Sequence, residues 1–197
     1  MIETLNYSIA LITGYILGSI PFGLIFSHLL GHGDLRKIGS GNIGATNALR
    51  TGNKKLALLT LIFDMLKGAL AVILIKQFIS PDYMIIAGLG AIIGHCFPIW
   101  LKFKGGKGVA TTIGVLLTIS PLLGLLVCIS WFLIAITFKI SSLSALISVL
   151  LAPVYALFIL DNRSALLIFL ITILVWIRHK ANIIRIIKKQ EKRIGQK

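Results

Sequence analysis

Residues 109–138 read VATTIGVLLTISPLLGLLVCISWFLIAITF, thirty uncharged residues broken only by the dipeptide Ser120-Pro121. Whether this stretch is one element or two decides how often the chain crosses a membrane, and hence where its ends lie. Proline has no N–H to donate and disfavours helix at the residue before it. The stretch is therefore expected to split into a short helix over 109–119 and a second over 121–138. At 1.5 Å per residue the first rises only about 16 Å, against ~30 Å for a hydrocarbon core. It reads as a short tilted span or a re-entrant half-helix.

Charge placement outside the stretch favours the split. Further apolar runs cover 7–30, 56–79, 83–100, 143–160 and 164–177, and each is read as one crossing. Four basic segments lie between or after them. Loop 31–55 holds Arg36, Lys37, Arg50, Lys54 and Lys55, and loop 101–108 holds Lys102, Lys104 and Lys107. Lys139 stands in the next turn, and the tail holds Arg178, Lys180, Arg185, Lys188, Lys189, Lys192, Arg193 and Lys197. The opposite turns hold only Lys76 and Arg163, while Lys67 falls within a span. Basic residues collect on the cytoplasmic side. One unbroken 109–138 span would send Lys139 and the tail outward, whereas two helices put all four basic segments inside. The expected fold is all-α and polytopic, with seven transmembrane helices, one short or re-entrant, the N-terminus outside and the C-terminus cytoplasmic. Residues 1–197 form a single domain in this reading. Glu3, with no Lys or Arg before the first run, argues against a cleaved signal peptide.

Composition agrees. Of 197 residues, 57% are hydrophobic and 13% charged, with a mean hydropathy of +0.97. A soluble globule has no way to hide that much apolar surface, and disorder, a collagen-like fibre and a disulfide scaffold are excluded on the same numbers. Twenty Lys and Arg against six Asp and Glu give a net charge of +14. In a membrane protein this orients the chain and attracts anionic headgroups or substrates, so nucleic acid is not an expected partner. Cys96 and Cys128 have no metal-ligand spacing and read as packing residues. The segment 178–197 mixes Ile183, Ile184, Ile186, Ile187 and Ile194 with basic residues. It is either an amphipathic helix on the inner leaflet or, beyond about 187, a basic tail with no other role.

Three polar segments fall on the side assigned to the cytoplasm. The first, Gly39 to Arg50, reads GSGNIGATNALR. Ser40, Asn42, Thr46 and Asn47 are hydrogen-bonding groups suited to phosphate oxygens, and Arg50 is able to grip a phosphate bidentately. The alternative is an ordinary polar loop with capping residues. The second is Lys104, Gly105, Gly106, Lys107 and Gly108, running into a helix that begins near Val109 and carries Thr111. Glycine amides, a helix N-terminus and two lysines together suggest an anion nest for phosphate. A Walker A loop is excluded, because position 101 is leucine. The third is Arg178 to Arg185. Arg178, Asn182 and Arg185 share one helical face, His179 shares a face with Asn182, and His179 is the group able to titrate near neutral pH. Asp64 and Lys67 stand i,i+3 within a span and read first as a structural pair. His95 either reaches the site or bonds a neighbouring helix, and Ser142 lies on the correct side to join the polar loops.

The inner side carries only Asp34 and Glu191, with Asp64 inside a span. That is too few carboxylates for a two-metal centre, and no Ser-His-Asp set is evident. No metal and no cofactor are expected. A cation-rich, acid-poor site suits substrates that bring their own negative charge and their own activation.

Gly18-Ser-Ile-Pro-Phe-Gly23, the 39–50 segment, Asp64-Met-Leu-Lys-Gly68, Gly94-His95, residues 103–111 and 178–185, in this order, resemble the bacterial acyl-phosphate:glycerol-3-phosphate acyltransferases. The resemblance implies a seven-helix inner-membrane enzyme of phospholipid synthesis with its active site on the cytoplasmic side. Such an enzyme moves an acyl chain from acyl phosphate to the 1-hydroxyl of glycerol 3-phosphate, giving lysophosphatidate and phosphate. It assigns the turn Lys104–Gly108 to substrate phosphate, and Ser40, Arg50, His179 and Asn182 to activity. Its implied partners are the two substrates, membrane lipids and the enzyme that makes acyl phosphate. The base for the attacking hydroxyl is either His179 or a substrate phosphate. One position departs: the family usually has Glu where this chain has Ala181, which removes a carboxylate expected to hold the last helix. The competing class is a transporter for a phosphorylated metabolite, which would place its polar groups near the bilayer midplane.

Overall fold

The structure, a computed structural model, describes residues 2–195, and its described regular elements are all helical. In chain order they are α1 (Ile2–Gly18), α2 (Phe22–Leu29), α3 (Ala45–Ala48), α4 (Lys54–Phe78), α5 (Met84–Cys96), α6 (Val109–Ile119), α7 (Pro121–Phe138), α8 (Ser141–Ile159), α9 (Asn162–Arg178) and α10 (Lys180–Ile187). The 109–138 stretch does break at Ser120-Pro121. Ser120 is extended and its hydroxyl accepts from Leu123 N, so it caps α7, with Pro121 at the first helical position.

Five segments are long and apolar enough to cross a membrane: Ile2–Leu29, Lys54–Phe78, Pro81–Leu101, Pro121–Phe138 and Ser141–Ile159. α9 and α10 pass the same test together but are bent by 64°, and α6 is the short apolar helix. Exposed side chains on these helices are large and apolar, among them Phe78, Phe132, Phe158 and Leu166, as a lipid-facing surface requires. The first run begins at Ile2 rather than residue 7 and is broken at residues 19–21, which end in Pro21, the N-cap of α2.

α6, ended by the Ser120-Pro121 break, is enclosed by the other helices. Thr111, Thr112, Ile113, Gly114, Val115 and Leu116 are all buried. Ile113 and Leu116 pack with α7, α8 and α9 in one core cluster, and Val115 packs with α4, α5, α8 and α9 in another. α1 and α5 meet through small residues: a Cβ on Gly14 would stand 2.0 Å from the Ala87 carbonyl oxygen. Such seams let backbones approach where no hydrophobic force acts between helices.

Breaks in the helices are covered from neighbouring helices, as a low-dielectric interior demands. Pro153 inside α8 leaves the Val149 carbonyl without its intrahelical donor, and Thr172 Oγ1 on α9 donates to it at 2.9 Å. At the α1–α2 break, Trp100 Nε1 donates to Ser19 O at 2.6 Å and Lys67 Nζ to Ile20 O at 2.9 Å.

Candidate active site

The four basic segments meet at one end of the bundle. Thr46 Oγ1 lies 3.0 Å from Ser141 Oγ, Lys107 Nζ donates to Asn182 Oδ1 at 2.5 Å, and Ile194 N donates to Lys139 O at 2.6 Å. These contacts tie loop 31–53, the turn before α6, the α7–α8 turn and the tail to one another. Between them lies a cavity of about 290 Å³.

Its polar wall carries Ser40, Asn42, Thr46, Asn47, Arg50, Asp64, His95, Lys107, Gly108, Ser142, His179 and Asn182, all predicted from the sequence. Lys104, Gly105, Gly106, Thr111 and Lys67, predicted with them, lie off it. The Gly105 and Gly106 amides do not form the expected nest. They donate to Cys96 O at 3.1 Å and His95 O at 3.0 Å, while their carbonyls accept from Arg178 Nη2 and Nε at 3.0 and 3.1 Å. The turn is clamped on both sides, because Lys102 and Phe103 take left-handed conformations that fold the chain back along the end of α5. What the turn presents to the cavity is Lys107, Gly108 and the first residues of α6, Val109 and Ala110. Lys104 points to the exterior, and Thr111 packs against Gly68 of α4.

Asn47 likewise works through its neighbours. Its Nδ2 donates to the carbonyls of Leu35, Ile38 and Asn42 at 2.9, 3.0 and 2.7 Å, and its Oδ1 accepts from Ser40 N at 2.9 Å and Ser40 Oγ at 3.2 Å. One buried amide thus closes the 35–47 loop and holds Ser40 at the wall, with Arg50 one turn on.

Asp64, Lys67 and His95 form a buried cluster beneath the site. Lys67 Nζ is 2.7 Å from Asp64 Oδ1 and donates to His95 Nδ1 at 2.8 Å. The far side of the His95 ring faces the turn so closely that a Cβ at Gly106 would lie 2.0 Å from Nε2. The cluster therefore fixes the height of the turn that carries Lys107.

His179 lies just past the end of α9, where its Nδ1 is 2.8 Å from Val175 O. A carbonyl only accepts, so Nδ1 carries the proton and Nε2 is left as acceptor. Burial, reinforced by the Lys107 and Arg178 charges, pushes the imidazole down to about 4. Lys107 is lowered to about 8, first by burial and then by Arg185, Arg50 and Arg178, with Glu191 pulling the other way.

Glu191 was not among the residues predicted for the site. Its carboxylate accepts from Ser142 Oγ at 2.8 Å, Asn182 Nδ2 at 2.5 Å and Arg185 Nε at 2.5 Å. Burial works against its charge, but those bonds hold it below the usual carboxylate range. Ala181 is exposed on α10, and the carboxylate that ties α10 to α8 comes from residue 191 instead. The other unpredicted wall is apolar: Leu61, Met65, Val109, Ile113, Cys128, Trp131 and Ala145. Within uniformly apolar runs no sequence signal marks which face will line a cavity.

The family model described as glycerol-3-phosphate acyltransferase matches residues 8–189. A glycerol-3-phosphate acyltransferase of Rhodospirillum rubrum is 48% identical, over all of this chain and 95% of that one. Among solved structures, the glycerol 3-phosphate form of PlsY, an integral membrane glycerol 3-phosphate acyltransferase, superimposes with a TM-score of 0.89. It is 34% identical, and 96% of each chain is covered. The lysophosphatidic acid form of PlsY gives a TM-score of 0.87 at 32% identity, over 96% of this chain and 95% of that one. With its lipid-facing helices, its cation-rich cavity at one end of the bundle and these matches over nearly its whole length, the chain is a multi-pass membrane protein of the glycerol-3-phosphate acyltransferase family.

Proposed function

We propose that the protein transfers an acyl chain from acyl phosphate to the 1-hydroxyl of glycerol 3-phosphate, forming lysophosphatidate and inorganic phosphate for phospholipid synthesis. The observation that carries this reading is the division of one cavity into two chemistries. Arg50, Lys107, Ser142, His179 and Asn182 make one wall, and Leu61, Met65, Ile113, Cys128 and Trp131 make another. The first suits phosphate and the second an acyl chain. The names of the solved neighbours, which pair PlsY with glycerol 3-phosphate and with lysophosphatidic acid, support the same substrate and product.

Acyl phosphate is a mixed anhydride with phosphate as a good leaving group, so no covalent intermediate on the protein is needed. The 1-hydroxyl oxygen attacks the acyl carbonyl carbon, the carbonyl-to-phosphate C–O bond breaks, and the hydroxyl proton is transferred to a base. An imidazole pushed down to about 4 is a weak base. A phosphate oxygen with a second pKa of about 6 is a stronger one. The departing phosphate therefore accepts the hydroxyl's hydrogen bond and takes its proton, and His179 stands in the polar wall beside them. Lys107 and Arg50 hold the developing charge, so rate enhancement comes from orientation and fixed positive charge.

The basic end is assigned to the cytoplasm by the positive-inside rule, which places the N-terminus outside, the C-terminus inside and the active site on the inner face of a bacterial cytoplasmic membrane. Residues 1–197 act as one membrane domain, with 178–197 as its basic tail. The enzyme that makes acyl phosphate is its expected neighbour there, since the donor is both labile and membrane-seeking.

The test is to incubate purified protein with glycerol 3-phosphate and either acyl phosphate or an acyl thioester. Lysophosphatidate is expected from acyl phosphate alone. Equal or better use of the thioester overturns the donor assignment, and no product from either donor overturns the reaction.

A further inference from the structure

Glu191 brings a negative charge to a site otherwise built for anions. It sits in the cavity with Arg50 and Lys107, its side chain 7% exposed. Its three donors come from two elements, Ser142 from α8 and Asn182 and Arg185 from α10. Ser142 Oγ and Asn182 Nδ2 both point at one carboxylate oxygen while Arg185 Nε takes the other, an arrangement that also fits two oxygens of a phosphate monoester. Asn182 is oriented for this, because its Oδ1 already accepts from Lys107 Nζ. The segment that delivers Glu191 has no regular structure from Gln190 to Arg193. Backbone bonds hold it at both ends: Gln190 N donates to Arg185 O at 2.7 Å and Ile194 N to Lys139 O at 2.6 Å.

Resting on the acyl-transfer reading above, we propose that the Glu191 carboxylate is an internal anion that a substrate phosphate must displace from Ser142, Asn182 and Arg185. A phosphate carries about two negative charges and three acceptor oxygens against one charge and two oxygens for the carboxylate, so it competes for the same donors. Glu191 meanwhile neutralises a cluster of cations whose burial without a counter-charge is costly. The tail becomes a tethered competitor that sets the concentration at which phosphate enters.

The test compares wild type, Glu191→Gln and Ile194→Pro, using inorganic phosphate as the binding probe in detergent micelles and then the KM for glycerol 3-phosphate. Glu191→Gln removes the competing charge while keeping the shape. Ile194→Pro removes the N–H that ties the tail to Lys139 and leaves Glu191 intact, so it carries the test if the first variant does not fold. Both are expected to bind phosphate about tenfold more tightly and to lower the KM several-fold. Unchanged or weaker phosphate binding overturns the proposal and makes Glu191 a fixed strut. Phosphate binding is read without turnover, so tighter binding by the variants of a wild type that makes no lysophosphatidate would overturn the acyltransferase reading while leaving the competition by Glu191 standing.

Discussion

Gly106→Ala tests how far the buried cluster under the site controls the reaction. The added Cβ would lie 2.0 Å from His95 Nε2, 2.8 Å from Cε1 and 2.9 Å from Cδ2, where ordinary contact begins at 3.4 Å. The ring has little freedom to retreat, because Lys67 Nζ holds its other edge at 2.8 Å and is itself bound to Asp64 and Ile20 O. The turn must therefore rise by roughly 1.4 Å, the shortfall between those distances. That strains the Gly106 N bond to His95 O and the Arg178 bond to Gly106 O, and it carries Lys107, the next residue, off its position. Overpacking of this kind costs about 1–3 kcal/mol in stability. A misplacement near 1 Å costs about 10²-fold in rate. Initial rates of lysophosphatidate formation and the thermal midpoint, measured on the same preparation, separate the two effects. Gly31→Ala serves as the control. Unlike Gly106 it has a left-handed backbone, at φ +75°, so a side chain there is strained, but nothing lies within 4 Å of its Cβ. The control is expected to lose some stability and keep its kcat/KM. A folded Gly106→Ala protein with kcat/KM within threefold of wild type would refute the idea that His95 sets the height of the turn.

Two further outcomes follow from the same geometry. Asn47→Asp would turn an acceptor toward the carbonyls of Leu35, Ile38 and Asn42, which now accept from its amide. At about 1–3 kcal/mol for each orphaned buried group, the 35–47 loop should open and be cut by protease far faster than in wild type, and an unchanged cleavage rate would count against its organising role. Lys107, lowered to about 8, should lose its charge as pH rises through that value. The KM for glycerol 3-phosphate is then expected to climb by up to tenfold per unit above about pH 8. Lys107→Arg should remove that climb, and a flat wild-type profile to pH 9.5 would show that the ammonium does not bind phosphate.

The helical membrane class, the break at Ser120-Pro121 and the gathering of the basic segments on one side are all legible in the sequence. Each follows from a local or counting rule: proline lacks a donor, lipid demands apolar runs, and charge avoids translocation. The polar segments 39–50, 104–108 and 178–185 announce themselves because charge, glycine and amide side chains stand out against an apolar chain. What each member does was decided only by the fold. Gly105 and Gly106 were expected to offer amides to phosphate, but those amides are taken by carbonyls at the end of α5, a contact between elements that residue spacing does not encode. Asn47 looked like a substrate donor and is the knot of its own loop. Trp131 and Cys128 sit in an unbroken apolar run, where every helical face reads alike, and only the packing of α7 against its neighbours turned one face toward a cavity. Glu191 lies in a stretch that reads as a basic tail, and only the fold of that tail over the α7–α8 turn brought its carboxylate into the site. The sequence alone determined where this chain meets lipid and water, because solvation acts on each residue separately. The tertiary structure decided which polar atoms remain free to meet a substrate, because a hydrogen bond is settled only when both partners have been brought together.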